Sequence, residues 1–145
     1  NGTVTVQKPK KKTYQKIMIP KTIKLNGYTF KVTSISSHAF KNCKKLKSVK
    51  IGDNVSKINK YAFMGCGRLQ SITIGKGLTH VGSKAFYKDK SLKKITIKST
   101  KLKKVYGKAF SGISKKAVID VPNKKVKTYK KILKKGNYPK NTKIK

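Results

Sequence analysis

The pair Ala-Phe returns through the middle of this chain at a nearly fixed interval: Ala39-Phe40, Ala62-Phe63, Ala85-Phe86 and Ala109-Phe110. Successive pairs are 23, 23 and 24 residues apart, and the stretch KSTK at 98–101 is the expected place of the extra residue. The rest of the sequence keeps the same step. Six positions after each of the first three phenylalanines stands Leu46, Leu69 or Leu92. Short alternating runs follow, with Val49 and Ile51, Ile72 and Ile74, Ile95 and Ile97, then Ile119 and Val121. Polar turns such as GDN and GKG come next, and after them a second apolar pair: Val55 and Ile58, Leu78 and Val81, Leu102 and Val105. Val32 and Ile35 begin that second series.

Period-two alternation of β-branched residues reads as a strand with one buried face. Glycine-rich turns read as corners. Each unit leaves an apolar face that it cannot bury alone, so the units must stack. Equivalent strands then form parallel ladders with a rise of about 4.8 Å per unit. The phenylalanines are expected in one internal file, and the Ala-Phe segment has room for about one helical turn.

The segments VTSISSHAFKNCKKLKSVKIG, VSKINKYAFMGCGRLQSITIG and LTHVGSKAFYKDKSLKKITIK resemble the BspA-like leucine-rich repeats of bacterial surface proteins over roughly residues 28–121. The resemblance implies an α/β repeat solenoid, a right-handed leucine-rich-repeat superhelix of stacked parallel strands and short helical turns. It also implies secretion or surface display, and adhesion or binding rather than catalysis. The expected organisation is a single domain: an N-terminal cap over 1–31, repeats over 32–121 and a C-terminal cap over 122–145. In the first cap, Asn26-Gly27 between alternating runs signals a hairpin, and Ile17 and Ile19 echo a repeat strand. In the second, Pro122-Asn123 opens a helix with Val126, Tyr129, Ile132 and Leu133 on one face. Gly136 is placed to end it, and NTKIK reads as a last edge strand. The chain opens on Asn1 without methionine, which we read as a fragment of a larger or processed protein.

Charge bounds the partners. There are 39 lysines and arginines against 3 aspartates, a net charge of +36. Arg68 is the one arginine, and there is no glutamate. Anionic cell-wall polymers, acidic glycans and host proteins are the expected partners. Nonspecific binding of nucleic acid or other polyanions is the alternative, and an inert stalk that displays another domain is a further one. A lysine-rich surface that only keeps the chain soluble has the same sequence. Sequence-specific nucleic-acid binding is not expected, since bidentate base readout favours arginine and no aromatic platform is evident. No apolar run has the length of a membrane span.

Catalytic, cofactor and metal sites are not expected, and the chain does not read as an enzyme. The slot three after each phenylalanine holds Cys43, Cys66, Asp89 and Ile113, a mixture that fits a buried turn position better than shared chemistry. Free thiols are favoured over a Cys43–Cys66 disulfide, because neighbours in a parallel ladder rarely aim their Cβ atoms correctly. His38 and His80 occupy slots filled elsewhere by lysine or tyrosine and are expected at the surface. Asp53, Asp89 and Asp120 are scattered, so no acid–base pair is expected. Asn54-Val55-Ser56 fits a glycosylation sequon by chance. The candidate ligand face is the outward side of the repeat strands: Ser48 and Lys50, Ser71 and Thr73, Lys94 and Thr96. A ladder of β-forming residues exposed to solvent gives the same pattern without a ligand, and the sequence leaves both open.

Overall fold

The computed structural model describes residues 2–145. In chain order the strands are β1 (Thr3–Val6), β2 (Lys16–Ile19), β3 (Thr22–Leu25), β4 (Tyr28–Ile35), β5 (Ser48–Ile51), β6 (Lys57–Ile58), β7 (Ser71–Ile74), β8 (His80–Val81), β9 (Lys94–Ile97), β10 (Lys104–Val105) and β11 (Val118–Asp120). A 3-10 turn (Asn123–Lys125), helix α1 (Val126–Lys134) and strand β12 (Lys143–Ile144) complete the chain. One parallel sheet runs β2-β5-β7-β9-β11-β12, giving a solenoid of about six turns. The second sheet runs β1-β4-β6-β8-β10, with β3 added antiparallel to β4.

The pairing register follows the sequence repeat. Val49 faces Ile72, Ile72 faces Ile95 and Ile95 faces Ile119. The step from β8 to β10 is 24, so the extra residue lies between Ile97 and Lys104, which includes 98–101. Ser99 is buried there; its Oγ donates to the Leu78 carbonyl at 2.6 Å. The second apolar series is buried as well, from Val32 and Ile35 to Leu102 and Val105. Phe40, Phe63, Phe86 and Phe110 form the internal file, with centroids 5.0, 5.4 and 5.5 Å apart and ring planes within 7° of parallel. That separation between near-parallel rings is an offset stack, which the ring quadrupoles favour over a face-to-face sandwich.

The Ala-Phe segments are successive hydrogen-bonded turns rather than α-helix. Ala39, Lys41 and Cys43 donate to the carbonyls three residues earlier. The phenylalanine amides donate sideways instead, Phe63 to Ala85 and Phe86 to Ala109, both at 2.8 Å. Left-handed residues cause this. His38, Tyr61, Lys84 and Lys108 form one left-handed column, with φ between 53° and 63°. Asn42, Gly65, Lys88 and Gly112 form a second, with φ between 58° and 79°. A left-handed residue costs about 1–2 kcal/mol and cannot continue a right-handed helix. The left-handed residues' own amides also donate to the neighbouring turn, Tyr61 to Ser83 at 3.0 Å and Gly65 to Tyr87 at 2.9 Å.

At the N-terminal end, Asn26 and Gly27 both have positive φ, 50° and 79°, as a type I′ hairpin turn requires. Ile17 and Ile19 pair in register with Val49 and Ile51 as the echo of the repeat predicts. The sequence reading places no strand at β1, which lies parallel on β4. This end is covered less completely than expected. A groove of ≈ 390 Å³ lies there, lined by Val4, Val6, Tyr14, Ile17, the exposed Met18 and Ile23 among others, and Leu25 and Tyr28 are exposed on the β3–β4 hairpin.

At the other end α1 buries Tyr129 and Leu133, while Val126 and Ile132 are half-buried on the core. The Tyr129 hydroxyl accepts the Leu102 amide at 3.0 Å and donates to the Ser99 carbonyl at 2.9 Å. The cap is thereby bonded to the segment that holds the extra residue. Gly136 has a different role from the expected helix stop. The left-handed residue after α1 is Asn137, with φ 53°. Gly136 closes the phenylalanine file: its carbonyl accepts the Phe110 amide at 2.8 Å. A Cβ there would stand 2.5 Å from the Phe110 ring. NTKIK supplies β12, which pairs with β11.

Candidate functional site

The β5–β7–β9 ladder sets the geometry of the outward face. Inward Val49, Ile72 and Ile95 leave their neighbours on the opposite side of the pleat. Ser48, Ser71 and Lys94 form one row, and Lys50, Thr73 and Thr96 form the next. Lys50 and Lys94 are exposed; Ser48, Ser71, Thr73 and Thr96 are half-buried between their neighbours. All six residues expected on this face therefore lie on one continuous surface. The rows run further than the sequence reading followed them. Lys16 precedes Ser48, and Val118 and Lys143 follow Lys94. Met18 precedes Lys50, and Asp120 follows Thr96. The signal for the first two was the IMIP run, whose alternation matches the repeat strands.

The histidines are apart from this face. His38 is exposed in the first left-handed column, its ring 4.8 Å from the Tyr61 ring. His80 is half-buried on the second sheet, between Lys57 and Lys104, with its Nδ1 2.8 Å from Thr79 Oγ1. Asp53 accepts the Lys76 amide at 2.9 Å in a corner turn. Among the described residues no three of the His, Cys, Asp and Glu side chains gather closely enough to hold a metal ion. The Asn54 amide of the sequon donates to the Lys21 carbonyl at 3.0 Å.

The mixed slot after the phenylalanines is buried in all four turns. Cys43 and Cys66 are free thiols. Cys66 Sγ donates to the Phe40 carbonyl at 3.1 Å. Burial raises the pKa of both thiols, with nearby Lys12 opposing the shift at Cys43 and Asp89 and Cys43 adding to it at Cys66. Neither is an activated nucleophile, which needs a lowered pKa. Asp89 accepts a turn amide, with Oδ1 2.9 Å from the Cys66 nitrogen. Its Oδ2 has no partner among the described residues, and burial raises its carboxyl well above the usual range.

Two surface features were not foreseen. The first is a set of tyrosines on the turns. Lys84 Nζ lies 5.8 Å from the Tyr61 ring centre and 5.5 Å from that of Tyr87, and Lys88 Nζ lies 5.4 Å from Tyr87. These rings are already covered by cations, so they are not open stacking platforms. Their signal was Tyr61 before Ala62-Phe63 and Tyr87 after Ala85-Phe86. The second is a basic groove of ≈ 510 Å³ lined by Lys44, Lys45, Gly65, Gly67, Arg68, Lys88 and Lys90. Among the described residues no helix is long and apolar enough to cross a membrane.

Several solved structures share this architecture. A leucine-rich repeat protein from Bacteroides ovatus is 25% identical with a TM-score of 0.62, over 75% of this chain and 30% of that one. A leucine-rich repeat protein from Bacteroides capillosus is 19% identical with a TM-score of 0.65, over 99% of this chain and 87% of that one. A leucine rich cell surface protein from Faecalibacterium prausnitzii is 20% identical with a TM-score of 0.57, over 82% and 41%. The chain thus spans less than half the length of the B. ovatus and F. prausnitzii proteins it resembles. None of the curated proteins matches it. The model of the BspA type leucine rich repeat region matches residues 10–138 in six copies. With that match over most of its length, the chain belongs to the BspA-type leucine-rich repeat family.

Proposed function

We propose that this chain is a non-catalytic binding module of a surface-displayed or secreted protein, and that it holds an extended anionic polymer or acidic glycan on the outward face of the β5–β7–β9 ladder. The observation that carries the reading is the pair of rows Ser48–Ser71–Lys94 and Lys50–Thr73–Thr96. Hydroxyls recur there at the strand spacing, about 4.8 Å, edged by ammonium groups. They offer hydrogen bonds to sugar hydroxyls or oxyanions, while lysines hold the charge. That the F. prausnitzii relative is a cell surface protein supports display outside the cell. The net charge of +36 adds a long-range attraction for any polyanion, which raises encounter rates and falls steeply with salt.

A salt titration of heparin and a glycan panel on wild type and Thr73→Lys tests the reading. A diffuse field gains from one more lysine. A shaped face loses its hydroxyl and its room at the centre of the ladder. The expected result is one ligand that persists at about 1 M salt, where the Debye length is about 3 Å, and that Thr73→Lys abolishes without lowering the melting temperature. A salt-resistant ligand indifferent to Thr73→Lys and Thr96→Lys would overturn the proposal.

A further inference from the structure

The turns that precede β5, β7 and β9 bring five cations around a surface without side chains. Lys44, Gly67 and Lys90 occupy one slot of three successive repeats. Two turns separate the lysines, about 10 Å at the strand spacing. Gly67 leaves the space between them empty: a Cβ built on it meets nothing within 4 Å. Lys45 and Arg68 share the next slot, and Lys88 follows Gly65 in the second left-handed column. The groove so formed measures ≈ 510 Å³ and is lined by these residues alone. The nearest acid in sequence, Asp89, is buried beneath Gly65 and Cys66 and puts no charge into the groove's lining.

From this convergence we propose that the groove between Lys44 and Lys90 is an anion site for a tetrahedral oxyanion, a phosphate or sulfate ester, gripped by Arg68. A tetrahedral group seated over Gly67 lies between the two flanking ammonium groups. Arg68 presents a planar fork of donors that pairs with two oxygens at once, which lysine cannot do. The site opens on the turns, separate from the strand face of the proposed function, so each stands or falls by itself. A second groove of ≈ 670 Å³ provides the comparison: Lys130, Lys131, Lys134, Lys143 and Lys145 line it, also five cations, but without arginine or glycine.

The test titrates tripolyphosphate into wild type, Arg68→Lys, Gly67→Val and Lys131→Ala at 0.15 M salt, by calorimetry and by amide NMR shifts. Arg68 is exposed and the space over Gly67 is open, so thermal melts of these variants should match wild type. Arg68→Lys keeps the charge and loses the fork, and should weaken binding about tenfold, the loss of one charge-assisted bond. Gly67→Val fills the seat and should weaken it at least as much. Lys131→Ala removes a charge elsewhere and should change affinity by less than about twofold. Shifts should concentrate on Gly65, Gly67 and Arg68. Equal effects of all three variants, or shifts spread over the lysine surface, would overturn the site and leave only a field. Teichoic acid, heparin and polygalacturonate separate the sources. The polymer that Arg68→Lys weakens identifies a phosphodiester or a sulfated glycan, and a loss confined to the carboxylate polymer would overturn the assignment. Thr73→Lys should leave tripolyphosphate binding intact, so failure of the strand face and failure of this groove are read independently.

Discussion

Replacing Asp89 with cysteine is expected to stabilise the fold at neutral pH. Asp89 is buried in a slot where two other turns carry a thiol, and its Oδ2 is without a partner. A buried polar atom left unpaired costs about 1–3 kcal/mol. The substitution removes that atom and strands little. The Cys66 amide also donates to Phe63 O at 3.3 Å, and the Gly65 amide to Tyr87 O at 2.9 Å, so both keep acceptors when Oδ1 is gone. The new thiol would stand to the Phe63 carbonyl as Cys66 Sγ stands to that of Phe40. The pH dependence has a definite sign. Burial raises the carboxyl of Asp89 in the folded state, against about 3.9 in the unfolded chain. The folded state therefore holds its proton more tightly, and stability from this group is full below about pH 3.9 and lost as pH rises through the folded value. Urea melts under reducing conditions at pH 4, 5.5 and 7 should show Asp89→Cys more stable by at least about 1–3 kcal/mol at pH 7. That corresponds to roughly 3 °C in melting temperature per kcal/mol for a chain of this size. The advantage should shrink on acidification. Few other acids interfere, since the only other aspartates are Asp53 and Asp120. A variant no more stable than wild type at pH 7, or a difference that ignores pH, would refute the reasoning.

Phe63→Ala should cost about 3–5 kcal/mol, the range for a buried aromatic truncation, because Phe63 is stacked on both sides by Phe40 and Phe86; a urea midpoint equal to wild type would contradict the packing. Tyr129→Phe should cost about 1–3 kcal/mol by leaving the Leu102 amide and the Ser99 carbonyl without the hydroxyl they share. Hydrogen exchange should then speed up at Leu102 first, and unchanged protection there would show that the cap is held by apolar contact alone.

Much of the fold was legible because its signals are periodic or local. Val49, Ile72 and Ile95 repeat at one step, and that step is the strand register. Asn26-Gly27 specifies its own hairpin through two positive φ values. Pro122 and the spacing of Tyr129 and Leu133 mark a helix with one apolar side. The six residues of the outward strand face follow from the same alternation, since a pleat sends every second side chain to the other side.

What the tertiary structure decided lies between turns. Tyr61, Lys84 and Lys108 in the first left-handed column are residue types that do not advertise positive φ. The amides of Tyr61 and Lys84 donate to the next turn, at Ser83 and Gly107, so the conformation goes with stacking rather than with a local preference. Gly136 reads as a helix stop, yet its smallness answers to the Phe110 ring. Asp89 reads as one more residue of a buried turn slot, and only the packing around it shows that one oxygen is left over. The 23-residue step already puts residues 44, 67 and 90 in one slot, but it does not show the open groove between them. Stacking at about 4.8 Å brings residues 44, 67 and 90 into one column, and the missing side chain at Gly67 turns that column into a seat.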